Sequence, residues 1–393
     1  MFGDATVVWL DAGGFFGDPT PVGEMQNDTL IEGMNRIGYA AANVGERELA
    51  AGVDKFLSRA GTAKFPFVSA NLVTDPGGKP FVKPYVVREI EVRGPADERP
   101  RRLRLGIIGL TRQKKEFLGA TPDGRNVVTL APAEAARRWL PEMRKKSDLT
   151  VALVSMRYED ALEVAQAAQQ AGAPLDFILG GMADWVSREE GSLLGPTKIA
   201  YSGNQGRQLG EVRVYLDNGR HVARSVFDPV WLTRDYPGDP DIESLVQTTM
   251  VNINDWYREH QVGGSPLAPI VIGSTYTGSE RCERCHADPF RVLKGSAHAS
   301  ALETLVKAGQ QFNPDCLKCH TTGYGKAAGF VTQGATPQLA NVQCESCHGP
   351  SSGHPEGVAD GFGRSGMGSC LVCHTRDNSP EFNFPSYWER IRH

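Results

Sequence analysis

The sequence predicts a two-part protein. An α/β domain covers residues 1–234, and a small, mainly helix-and-loop module covers residues 273–393, with a connector over 235–272. Three observations predict this. In the first part, short apolar runs alternate with stretches of helical spacing, the pattern of a layered α/β fold. In the last part, all eight Cys of the chain fall into one repeated pattern. Between them, Asp235-Tyr-Pro-Gly-Asp-Pro240 is rich in helix and strand breakers.

The elements follow in order. Thr6 to Asp11 is expected as a buried strand entering the turn Ala12-Gly13-Gly14. From Asn27 to Ile37 the apolar positions Leu30, Ile31, Met34 and Ile37 recur at helical spacing. Strands are expected at Ala40 to Val44, Phe67 to Ala70, Tyr85 to Val92 and Leu103 to Leu110. Pro132 to Lys145 reads as a helix, Leu149 to Val154 as a strand, Glu159 to Gln170 as a helix and Phe177 to Leu179 as a strand. Ile199 to Ser202 and Gly210 to Leu216 are late strands, with a hairpin turn at Asn218-Gly219. An amphipathic connector helix carries Ile242, Leu245, Val246, Ile253 and Trp256. Val262-Gly-Gly-Ser-Pro-Leu-Ala-Pro269 is a second boundary.

The repeated pattern is C-x-x-C-H. It stands as Cys282-Glu-Arg-Cys285-His286, Cys316-Leu-Lys-Cys319-His320, Cys344-Glu-Ser-Cys347-His348 and Cys370-Leu-Val-Cys373-His374. On a helical turn, residues i, i+3 and i+4 share one face. Two thiols can then bond the two vinyl arms of one porphyrin while the imidazole binds its iron, the signature of c-type haem attachment. The chain therefore calls for four c-type haems. Structural zinc is the bland alternative, but zinc ribbons do not need a His after every second Cys. Adjacent C-x-x-C pairs also make poor disulfide staples. A module so short cannot build a large side-chain core, so the porphyrins must supply much of its apolar interior.

Composition excludes other classes. The net charge of −4 and a pI near 6.2 argue against a general nucleic-acid binder. No apolar run reaches the ~18 residues of a membrane span. Met1-Phe-Gly-Asp4 has no basic n-region of a secretory signal. Covalent haem attachment nevertheless implies a periplasmic or otherwise extracytoplasmic protein. The numbered chain is therefore expected to be a mature form, or to start downstream of the true beginning.

Residues 6 to 230 resemble the 5′-nucleotidase-type calcineurin-like metallophosphoesterases. The resemblance is carried by Leu10-Asp-Ala-Gly-Gly14, Gly38-Tyr-Ala, Gly45-Glu-Arg-Glu48 with Gly52, Ser69-Ala-Asn-Leu72, Leu105-Gly-Ile-Ile-Gly-Leu110 and Leu179-Gly-Gly-Met-Ala-Asp184. It implies a layered α/β sandwich whose strand ends hold two metal ions, which activate water for phosphoester hydrolysis. The family's metal-binding letters are mostly absent. Its D-x-G-D stands as Asp11-Ala-Gly-Gly14, its G-N-H-E as Gly45-Glu46-Arg47-Glu48, its S-H as Ser155-Met156 and its G-H-x-H as Gly181-Met182-Ala183-Asp184. Met suits hard cations poorly, and Arg47 repels them. Asp11, Glu46, Glu48 and Asp184 remain as donors. No dimetal centre is expected, and the domain reads as a scaffold.

Residues 277 to 393 resemble the tetrahaem cytochrome c-554 family. The carriers are Gly278-Ser-Glu-Arg-Cys282, Gly295-Ser-Ala-His-Ala299, Cys316-Leu-Lys-Cys-His-Thr-Thr-Gly323, Cys344-Glu-Ser-Cys-His-Gly-Pro350 with His354, and Trp388-Glu-Arg-Ile-Arg-His393. The family implies electron transfer, most irons bound by two His, and haems packed in pairs. Nine His less four proximal ones leave His221, His260, His298, His354 and His393. His298 follows the N-cap Ser296 and shares a face with Leu302 and Leu305, so it is either a core His or a distal ligand. His354 lies in a Gly/Pro loop past His348, and His393 ends the chain. These three are the expected distal ligands. His221 is expected exposed, and His260 is the reserve ligand at the end of the connector helix. Met367 is a further possible ligand. With three distal His for four irons, one haem stays open, and the family comparison points to that of His320.

The expected function is electron relay through four haems, with other cytochromes or a periplasmic oxidoreductase as redox partners. Two rivals stand beside it: a haem enzyme acting on a small nitrogen compound at an open iron, and a phosphohydrolase linked to haem.

Overall fold

The computed structural model describes residues 5–75, 78–92, 100–116, 118–181, 192–203, 206–217, 221–233, 235–260, 275–354, 363–376 and 378–393. The chain separates into two compact units, Met1–Leu245 and Val246–His393. The boundary falls inside one helix, Pro240–Glu259, where the sequence places its connector.

The first unit is built on two sheets with parallel cores. A three-stranded sheet pairs Leu10–Asp11, Ala41–Asn43 and Phe67–Val68, all parallel. A six-stranded sheet runs in the order Ser192–Leu194, Thr197–Tyr201, Phe177–Gly180, Leu149–Ser155, Arg101–Thr111 and Tyr85–Val92. Its inner strands are parallel and its two edge strands antiparallel. Alternate side chains of Leu149–Ser155 face opposite ways. Ala152 and Val154 join the core under the helices Pro132–Lys146 and Tyr158–Gln170. Leu149, Val151 and Leu153 join a second core with Ala41, Leu105, Ile107 and Phe177. Burial on both faces is why this strand is apolar throughout.

A third core holds Phe16, Ile31, Val44, Phe56 and Phe67. Close approach at the sheet junction requires glycine. A Cβ on Gly109 would lie 2.2 Å from the Val68 carbonyl oxygen and 2.4 Å from Asn43 Oδ1. A small antiparallel sheet (Lys79–Pro80, Leu72–Asp75, Asn126–Thr129, Gly119–Ala120) and a two-stranded ribbon (Gln208–Leu216 with Val222–Trp231) complete the unit.

The structure corrects several sequence-based boundaries. The first strand is only Leu10–Asp11. Its neighbour begins at Ala41, just after the preceding helix closes at the left-handed Gly38, so the ladder reaches back only as far as the Trp9 carbonyl, which accepts the Ala40 N–H at 2.8 Å. That helix starts at Pro21, not near Asn27. Thr20 caps it by accepting from the Gly23 N–H, with Pro at the first turn. The strand at Phe67 stops at Val68 because the chain changes partners: Ser69 N–H donates to Lys83 O and Ala70 N–H to Gly109 O. Asn218-Gly219 lies outside the described residues, but the strands on either side pair antiparallel as expected.

The second unit is made of short pieces. Beyond the connector helix, its longest helix is Ala287–Lys294. The apolar core among the described residues is small: Leu302, Leu305, Leu317, Phe330 and Leu339. Each of the second, third and fourth motifs sits on its own short helix or runs off one: Pro314–His320, Cys344–His348 and Met367–Leu371. The first begins on Glu280–Glu283.

Candidate functional site

The C-x-x-C-H turns have the local geometry their spacing demands. The His286 N–H donates to Cys282 O at 2.9 Å and the His374 N–H to Cys370 O at 2.8 Å. Sequence-distant motifs are brought together. Cys282 lies beside Cys344, and Cys373 beside Cys319. The first motif thus abuts the third, and the second abuts the fourth.

Six imidazoles stand in three facing pairs. Ring centres are 6.1 Å apart for His286 and His354, 6.1 Å for His298 and His374, and 5.7 Å for His348 and His393. An imidazole–metal bond is about 2 Å long, so two rings binding one ion from opposite sides have centres roughly 6 Å apart. The donor set therefore fits haem iron ligated on both faces. Burial lowers the pKa of both His298 and His374, favouring the neutral imidazole that a metal takes. Among the described residues no imidazole faces His320 in this way.

Hydrogen bonds orient the rings. Nδ1 of His320 contacts Ala301 O at 2.7 Å, Nδ1 of His374 contacts Ser379 Oγ at 3.1 Å, and Nδ1 of His393 contacts Ile391 O at 3.0 Å. Nδ1 of His348 is bonded to Gly363 O. With Nδ1 engaged, Nε2 is the nitrogen left for a metal, as in other His–metal sites. His260 instead stacks on Trp256 at 4.3 Å, with Nδ1 on the Trp256 carbonyl at 2.8 Å. His221 is exposed beside Asp217, and Met367 is half-exposed.

The strand ends of the first unit gather the phosphoesterase-like motif residues. Glu48 is buried, and its carboxylate accepts from the N–H groups of Gly14 at 2.7 Å, Phe15 at 2.8 Å, Phe16 at 3.3 Å and Gly45 at 2.7 Å. Its burial raises its pKa against these bonds. Asp11 accepts from the Gly13 N–H at 2.7 Å, and desolvation pushes its pKa up to about 6. Glu46 is paired with the Lys114 ammonium at 2.7 Å. Arg47 turns outward to Phe16 O and to Asp18 at 3.1 Å. Met156 is fully buried in the core beneath the helices, while Ser155 stays at the strand end. Met182, Ala183 and Asp184 lie outside the described residues. Among the described residues no group of three or more His, Cys, Asp or Glu is placed to hold a metal ion.

Sequence reasoning missed the polar ties that set these strand ends. Asn43 donates to Ala12 O and Leu110 O, each at 3.0 Å. Asn71 joins Thr111 through two bonds. It also missed a knot at residues 341–345 of the second unit. The Leu302 N–H donates to Asn341 Oδ1, the Val342 N–H to His298 O, the Gln343 N–H to Thr322 Oγ1 and the Cys344 N–H to Ser279 Oγ. Asn341 has φ +67°, a left-handed conformation that Asn tolerates. Nothing local in the sequence marks this convergence.

Comparisons with known proteins agree with this division. Residues 281–349 match the family described as cytochrome c554 and c-prime. The cytochrome c-554 of Nitrosomonas europaea is 33% identical over 96 residues, 21% of this chain and 41% of that protein. A 2′,3′-cyclic-nucleotide 2′-phosphodiesterase/3′-nucleotidase of Yersinia enterocolitica is 32% identical over 125 residues, 32% of this chain and 19% of that protein. The chain spans less than half the length of either relative. The crystal structure of the calcineurin-like phosphoesterase YfkN from Bacillus subtilis superposes with a TM-score of 0.52 at 20% identity, covering 64% of this chain and 85% of that one. The chain thus joins a region matching the cytochrome c554 family to an N-terminal part with the calcineurin-like phosphoesterase fold.

Proposed function

We propose that this chain is an extracytoplasmic c-type cytochrome that relays single electrons through four covalently bound haems. The observation that carries the reading is the three His pairs at 5.7–6.1 Å, each uniting a C-x-x-C-H imidazole with a distant one. Bound haem supplies the one-electron iron couple. The chain's own residues do the rest. Eight Cys anchor the porphyrins, and His286, His320, His348 and His374 bind iron from one side. His354, His393 and His298 close the His286, His348 and His374 sites from the other. The closeness of the first motif to the third, and of the second to the fourth, supports short transfer distances within two haem pairs. Partners are other redox proteins of the same compartment. No described helix is long and apolar enough to cross a membrane.

The α/β domain serves as a scaffold without phosphoesterase activity. Its donors among the described residues do not fit a two-metal centre. The Lys114 ammonium already neutralises Glu46, Glu48 spends its oxygens on four N–H groups, and Met156 is sunk in the core.

A second reading concerns His320, which no second imidazole faces among the described residues. Its haem is open to a small ligand, and a catalytic role there is the rival to simple relay.

The test is direct. Express the full chain with haem-maturation machinery and weigh it intact. A mass excess of four haems that acid acetone does not remove supports the reading. A colourless, zinc-loaded protein overturns it.

A further inference from the structure

We infer that Glu345 is the positioning residue for the sixth ligand of the His286 haem. It clamps the turn that carries His354 to the segment that leads into the first C-x-x-C-H motif. The inference rests on the ligand assignment proposed above and names what holds that ligand in place.

Glu345 occupies the first variable position of the third motif. The same residue type at the same position of the first motif, Glu283, is exposed, whereas Glu345 is 3% exposed. Position rather than composition thus sends this carboxylate inward. Buried charge is costly unless hydrogen bonds satisfy it. Here they come from two directions. Oε2 accepts the N–H groups of Thr277 at 2.9 Å and Gly278 at 2.8 Å. Oε1 accepts the Ser351 N–H at 2.8 Å and the Ser351 hydroxyl at 2.6 Å. Among the described residues no Lys or Arg pairs with it, so these donors carry the compensation.

The two clamped segments also touch each other. The Thr275 N–H donates to Ser352 Oγ at 2.7 Å, and the Ser352 N–H returns a bond to Thr275 O at 3.0 Å. Each segment leads directly to one ring of the His286–His354 pair. The His354 N–H donates to Ser351 O at 2.9 Å, closing a turn three residues from the clamp. On the other side, Ser279 O accepts the Cys282 N–H at 2.9 Å, and Cys282 O accepts the His286 N–H at 2.9 Å. Gly278 presents its N–H from φ +87°, where a Cβ would meet Gln338 O at 2.6 Å. The first motif, the His354 turn and the third motif are therefore fixed by one carboxylate.

Glu345→Ala removes the acceptor of five donors, the Thr277 hydroxyl at 3.4 Å among them, and frees the His354 turn. The test uses the full chain loaded with haem, comparing the parent with Glu345→Ala, His354→Ala and the double variant. Spin states of the oxidised protein are read by electron paramagnetic resonance, and carbon monoxide uptake by the reduced protein. Glu345→Ala is expected to convert one further haem to high spin, the same one that His354→Ala converts. The double variant then converts no more than either single one, and added imidazole restores the low-spin signal in all three. If His354→Ala changes no haem, the ligand assignment falls. If His354→Ala converts one haem and Glu345→Ala keeps the parent spectrum, the assignment stands and this inference falls. Conversion of additional haems in Glu345→Ala shows general loosening and also overturns it. Should Glu345→Ala fail to take up haem, Glu345→Gln keeps the volume and one acceptor. It is expected to add a second carbon monoxide binding phase, and the parent's phases alone overturn the inference.

Discussion

His348 and His393 face each other with ring centres 5.7 Å apart and planes inclined by 54°. One belongs to a C-x-x-C-H turn and the other is the last residue of the sequence. Replacing His393 with Ala is expected to convert one haem from low to high spin and to add one carbon monoxide site. His298→Ala is expected to do the same at the His374 haem. His260→Ala should leave the spectrum unchanged, because that ring is stacked on Trp256. A spectral change in the His260 variant would transfer the reserve ligand to the His320 site.

The Lys114–Glu46 pair predicts the behaviour of the α/β domain toward metals. The full chain with manganese or zinc and a nucleoside monophosphate is expected to release no phosphate above the blank. The cation of Lys114 lies where a metal-binding carboxylate would need to be free. Turnover that disappears in Asp11→Ala would overturn the scaffold reading.

Asp11 predicts a pH dependence. Its pKa rises from 3.8 to about 6 on folding, chiefly through desolvation. Between those values the native chain keeps a proton that the unfolded chain has released. Stability therefore falls as pH rises through this window and stays lower above it. Asp11→Asn, which can still accept from Gly13, is expected to remove that slope. It should stabilise the first unit at neutral pH by about 1–2 kcal/mol. Urea titrations of parent and variant at several pH values measure it. Parallel curves for the two proteins would refute the assignment.

Glu48 predicts the cost of removing the carboxylate from its ring of N–H groups. Glu48→Ala leaves the donors of Gly14, Phe15, Phe16 and Gly45 buried with no acceptor. Destabilisation on the order of 3 kcal/mol is expected, since bonds to charged groups contribute about 1.5–3 kcal/mol each at most and relaxation recovers part. A shift in the urea midpoint of the first unit reads this directly. An unchanged midpoint would mean that water replaces the carboxylate.

What the sequence made legible was local. The four C-x-x-C-H turns close within five residues, so spacing alone defines them. The strand Leu149–Ser155 was visible because both its faces are buried, which makes it apolar throughout. The start of the first helix was missed because the reading followed Leu30, Ile31 and Met34. The true signal was polar, Thr20 followed by Pro21. Lys114 could not be linked to Glu46, since a salt bridge between different elements leaves no periodic trace. Glu345 was equally silent. It stands at a motif position where any residue is allowed, and its partners Thr277 and Gly278 lie 68 and 67 residues away.

The knot at residues 341–345 has a consequence for the order in which the molecule is made. A chain emerges from its N-terminus. Ser279, His298, Leu302 and Thr322 are therefore synthesised well before the residues that bond them. The bonds that hold Ser279, just before the first C-x-x-C-H motif, and Thr322, just after the second, close only on Gln343 and Cys344 at the start of the third. These four bonds span from 21 to 65 residues of sequence, so the middle of the second unit is tied together by long-range contacts rather than by neighbours.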